Sequence, residues 1–100
     1  MELRREITER RLRIVTRLRA HLTWLARRQE HLEQMPSERI VSEVAITKQG
    51  DDRTRAEIAQ AIAELNALVR HHNLVATATS LHLPIATFEG LLELARTPRR

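Results

Sequence analysis

The chain has no cysteine. No disulfide can frame its fold, and no thiolate is there to act as nucleophile or metal ligand. Aromatic side chains number one Trp and one Phe, and there are only two Gly and three Pro in 100 residues. With so few strand-formers and turn-formers, and so many Leu, Ala, Arg and Glu, helix is the default. No apolar run reaches the roughly 18 residues that a membrane span requires, and the N-terminus lacks the apolar stretch of a secretion signal. These absences together predict a soluble, cytoplasmic, all-α chain forming a single helical domain over residues 1–100. A chain of this length buries only about 60–65% of its unfolded surface, so association with a partner or with itself would help it.

One absence is local. Between Glu9 and Glu30 there is no acidic residue, while Arg10, Arg11, Arg13, Arg17, Arg19, Arg27 and Arg28 all fall in that stretch. Residues 1–34 carry nine Arg against five Glu, a net +4. Residues 35–95 carry five basic and eight acidic side chains, and three more Arg follow. A basic head, an acidic body and a basic tail predict a polyanionic partner, or head-to-body pairing between copies.

Apolar periodicity lays out the elements. Leu3, Ile7, Ile14, Leu18, Leu22, Leu25 and Leu32 make one stripe, which predicts a helix over 2–34 ended by Pro36. Glu6 with Arg10 and Glu9 with Arg13 are i,i+4 pairs in the favourable order. Residues 37–50 read as a linker or short helix, because Ile40 to Thr47 is rich in β-branched side chains and Gly50, Asp51 and Asp52 close it. A second helix is predicted over 54–79, opened by a Thr54/Glu57 capping box. Its seam is Ile58, Ile62, Leu65, Val69, His72 and Ala76. Pro84 then opens a last helix over 84–96, and 97–100 is a basic tail. The expected architecture is a long antiparallel helical hairpin with a short C-terminal helix, self-associating through coiled-coil-like packing. A first helix some ten residues longer than its partner, about 15 Å at helical rise, leaves apolar stripe for a second copy to cover.

Three patterns carry functional expectations. Arg10, Arg13, Arg17, Trp24, Arg27, Arg28 and His31 recur at helical spacing beside the apolar stripe. Arginine forks suit phosphate oxygens, and a tryptophan among them can stack on a base. The first six are therefore the candidate nucleic-acid-binding residues, for DNA or RNA, with low sequence specificity. The competing reading is a solvated face whose arginines meet acidic protein surface, with Trp24 packed on the last helix.

The second pattern is Ala78, Leu81, Leu83, Pro84, Phe88 and Leu91, which resembles a helix-turn-helix; that resemblance implies DNA binding by residues 78–95. His82 stands where that turn has Gly, and Glu89 and Glu93 make the would-be recognition helix acidic, a face that phosphates repel. The third pattern is histidine. Adjacent His71 and His72 point about 100° apart on a helix and cannot share an ion. His72 is expected to fill the seam, with His21 opposite it. No nucleophile has a partner base, and no Gly-rich phosphate loop or placed carboxylate pair occurs. The expectation is a non-enzymatic chain with no cofactor and no metal site, whose partner is nucleic acid or an acidic protein surface, in a homo-oligomer, most simply a dimer.

Overall fold

Pro36 divides two long helical runs, and the computed structural model, which describes residues 2–97, folds them back on each other. Helix α1 spans Glu2–Glu33, α2 spans Ser37–Val75, a single 3-10 turn covers Thr79–Leu81, and α3 spans Phe88–Arg96. The described residues contain no strand. The fold is all-α: an antiparallel hairpin of α1 and α2 with a short C-terminal helix laid against it.

The core sits at one end. Ile7, Ile14, Val15 and Leu18 of α1 meet Ile58, Ile62, Leu65 and Val69 of α2, and Leu91, Leu92 and Ala95 of α3 close over them. The predicted seam of α2 is buried from Ile58 to Val69. Helix α3 must run in the same direction as α1, since α2 returns between them, and it covers only the half of the hairpin near the termini. Beyond His21, Leu22, Leu25 and Leu32 are only half-buried, while Val41, Val44 and Ile46 are exposed. The molecule is thus a three-helix core continued by a two-helix arm, with a longest extent of 62 Å.

The largest difference from the sequence expectation is α2. It is one unbroken helix of 39 residues, with no linker over 37–50 and no start at Thr54. Contacts from α1 outweigh local propensity there. Arg28 reaches the Glu43 carboxylate and the Thr47 hydroxyl, and Trp24 lies over Gly50. Asp51 accepts from His21. Ion pairs Lys48–Asp52, Asp51–Arg55 and Arg53–Glu57 then bridge the Gly50–Asp52 segment one turn at a time, the i,i+4 spacing that supports a helix. Thr54 is interior, and Glu57 faces Arg17 and Arg53 instead of forming a capping box. With α2 at 39 residues and α1 at 32, the excess length expected of the first helix does not exist, and its argument for a second copy goes with it.

The C-terminal part also differs. Helix α2 ends at Val75, four residues before the expected boundary, and residues 82–87 are not helical. Two asparagines hold that segment. The Asn66 amide donates to Ala86 O at 2.8 Å while its oxygen accepts from Ala86 N at 2.8 Å. Asn73, two helical turns on, makes the same pair of bonds with Leu83. Pro84 lies inside this clamped stretch, and α3 starts at Phe88, capped by Thr87, whose hydroxyl accepts from Gly90 N at 3.0 Å. The first helix of the helix-turn-helix pattern is therefore not formed: Ala78 to Leu83 are a 3-10 turn and its flanks. The basic tail expected over 97–100 lies, from 98 onward, outside the described residues.

Candidate nucleic-acid interface

The six candidate residues all stand on α1, but they do not share one open face. Arg10 pairs with Glu6 at 3.2 Å and with Glu64 of α2 at 4.0 Å. Arg17 pairs with Glu57 of α2. Arg28 pairs with Glu43 at 2.8 Å and donates to Thr47 Oγ1 at 3.0 Å. With His21–Asp51 at 2.6 Å these contacts make a ladder of four rungs across the antiparallel hairpin. The acidic body anticipated as a partner for the basic head meets it within the same chain.

The rungs differ in worth. Arg10–Glu64 and Arg17–Glu57 are solvent-exposed, and such pairs contribute about 0–1 kcal/mol. Arg28–Glu43 is the most enclosed of the arginine rungs. The Arg28 hydrogen bond and charge hold the Glu43 carboxyl below the ordinary carboxylate value, helped by Arg39 and His31 and opposed by partial desolvation. At Asp51, burial pushes the carboxyl up, but hydrogen bonds from His21 and Arg55 and their charges outweigh it and leave the value lowered. An ionised Asp51 only accepts, so His21 Nε2 carries the proton in that contact.

Trp24 is neither on the last helix nor free in solvent. Its ring stacks on His21, with centroids 5.5 Å apart and planes 19° apart, and it retains 37% exposure. A Cβ at Gly50 would come within 3.0 Å of the indole, so Gly50 is the place where α2 leaves room for it. His21 therefore faces Asp51 and Trp24; His72 is far down α2, half-buried, with Nε2 3.1 Å from Leu81 O.

Two candidates point outward. Arg13 has only a local contact, Glu9 at 3.9 Å, and Arg27 is exposed with no ion pair among the described residues. The arginines flanking this set, Arg11 and Arg19, turn toward α3, and Arg19 donates to Leu94 O at 3.2 Å. The sequence reading overlooked Asn66 and Asn73, whose heptad spacing along α2 was the available signal. It also overlooked the α2 acids as rungs: Glu43, Asp51, Glu57 and Glu64 recur every six to eight residues, but only the register of the hairpin shows which arginine each one meets.

Among the described residues no group of three or more His, Asp or Glu is placed to hold a metal ion, and no helix is long and apolar enough to cross a membrane. Comparison with protein-family models, with curated proteins and with solved structures gave no match to this chain.

Proposed function

We propose that the chain is a non-catalytic helical docking module that binds another protein in the cytoplasm. One observation carries this reading. Arg10, Arg17 and Arg28 already have carboxylate partners in the chain's own second helix, while large apolar side chains such as Leu12, Val44, Ile46, Ile85 and Leu94 are left in solvent. A phosphate would have to compete with three carboxylates already paired with these arginines, two of them hydrogen-bonded, whereas an apolar partner surface would displace only water. The bound protein can include a second copy, because Leu25, Leu32 and Val44 of the arm lack the third layer that covers the core.

A second reading keeps contact with a nucleic-acid backbone, and Arg13 and Arg27 are the observation behind it, being the two candidates without a partner on α2. Salt titration separates the two. If Arg13 and Arg27 each neutralise a phosphate, changing both to Gln should flatten the dependence of log affinity on log salt by about 1.8 units on duplex DNA. The docking reading expects no duplex, single-stranded or RNA binding at about 50 mM salt that depends on these residues. A steep slope lost in the double variant would reverse the order of the two readings.

A further inference from the structure

Helix α3 lies beside α1 without sealing against its outer flank. A valley runs between them, from Ile85 at one end to Thr97 at the other. Its floor is Val15 and Leu91, both buried, and its walls carry Leu12 and Leu94, 57% and 50% exposed. Two side chains bring charge into it, Arg11 and Arg19. No carboxylate lines it, and neither arginine has an ion pair among the described residues. This distinguishes the valley from the other flank of α1, where each inward arginine has its acid. Here the chain presents apolar surface and two uncompensated guanidinium groups together.

We propose that the α1–α3 valley is a docking site for an acidic amphipathic helix of a partner protein. The inference rests on the docking-module reading above and names its site and partner chemistry. A helix entering the valley would seat apolar residues spaced i, i+3, i+4 and i+7 on Leu12, Val15, Leu91 and Leu94. Asp or Glu beside that stripe would meet Arg11 and Arg19, eight residues apart on α1 and so about 12 Å apart at helical rise. The sign of the charge selects the partner: a basic helix would press two cations onto two cations. Shape argues against an anionic bilayer, since a flat lipid surface would rest on Leu12 and Leu94 without following the trough between them. The valley along residues 8–19 accommodates about three helical turns.

The test uses the full chain and a designed 15-residue peptide with Leu at the four seam positions and Glu flanking them, followed by fluorescence anisotropy. Binding in the range of tens of micromolar is expected, weakened about tenfold or more by Arg11→Glu with Arg19→Glu, and similarly by Leu12→Ser with Leu94→Ser. Leu12 and Leu94 are exposed and Arg11 and Arg19 half-buried, Arg19 also donating to Leu94 O, so melting curves will verify that the variants fold. Arg39→Glu with Arg70→Glu makes the same charge change elsewhere and is expected to leave affinity within about twofold, whereas a peptide with Lys in place of Glu is expected to bind at least about tenfold more weakly. No binding at about 100 μM, or equal losses from the Arg39/Arg70 pair, would overturn the proposal. So would tighter binding to phosphatidylglycerol vesicles than to the peptide, which would assign the valley to a membrane. Peptide binding that survives the valley changes but is lost in Leu25→Asp with Val44→Asp would overturn this site and leave the docking-module reading standing. Loss of both, with salt-steep nucleic-acid binding through Arg13 and Arg27, would remove the reading itself.

Discussion

Arg28 and Arg13 are the same residue type on the same helix, and they should behave very differently. Arg28 holds a carboxylate and a hydroxyl on α2 in a half-buried setting, whereas Arg13 touches one exposed carboxylate at 3.9 Å. Arg28→Ala should cost about 1–2 kcal/mol in urea unfolding, because Glu43 and Thr47 lose a charged partner. Arg13→Ala should cost less than about 0.5 kcal/mol. Acid should act through the same rungs. Asp51 and Glu43 have folded values below their ordinary 3.8 and 4.5, so near those pH values the unfolded chain binds more protons than the folded one. Their contribution is complete above about pH 5 and is lost as pH falls through the lowered values. Urea midpoints should therefore hold between pH 7 and 5 and drop below about pH 4, and Asp51→Asn with Glu43→Gln should remove much of that drop. A pH dependence unchanged in the double variant would show that other carboxylates carry it.

The elements show how much was legible and where legibility stopped. Helix α1 was readable almost to its last residue, since its stripe, its arginines and Pro36 all point to the same boundaries. The seam of α2 from Ile58 to Val69 was equally plain. Leu65, fully buried, should lose about 2–5 kcal/mol on change to Ala. The first half of α2 was not readable, because Gly50 and the β-branched run argue locally against helix, and what overrules them is Trp24, Arg28 and His21 from another segment. The candidate interface suffered for the same reason: a row of arginines is visible in one helix, but the carboxylates that occupy them become visible only with the hairpin register. Within their own helix Asn66 and Asn73 carry no signal of a partner, and they are the clamps that hold residues 82–87. Asn66→Ala would leave Ala86 N and O without partners, at about 1–3 kcal/mol for each group that stays buried. Hydrogen exchange at Ala86 and through α3 should speed up, while α1 near Ile14 should change less. Unchanged protection of α3 would show that the clamp does not seat that helix.

At the scale of the whole molecule, stability is lopsided. Among the described residues the buried apolar side chains all lie in the three-helix end, and the arm is held by rungs and half-buried leucines. Amides between residues 24 and 50 should exchange at lower opening free energy than those at 7–18 and 58–69. Self-association through the arm would erase that difference, and sedimentation at micromolar concentration distinguishes a dimer from a lone chain whose arm stays bare.

The ladder also bears on the order in which the chain folds. Its rungs enclose loops of increasing length, with Arg28 and Glu43 separated by 15 residues and Arg17 and Glu57 by 40. Closing the wider loop costs only about 0.9 kcal/mol more in chain entropy. Burying one Leu or Ile side chain beside it contributes about 1.5–3 kcal/mol, and the core residues Leu18 and Ile58 stand next to that rung. This balance predicts that the shortest loop does not nucleate the hairpin, and that the transition state forms around the distant pair with the tip zipping afterwards. In kinetic terms Leu65→Ala should slow folding, whereas Arg28→Ala should chiefly hasten unfolding. The arm can then open and close many times within the lifetime of a core that stays folded.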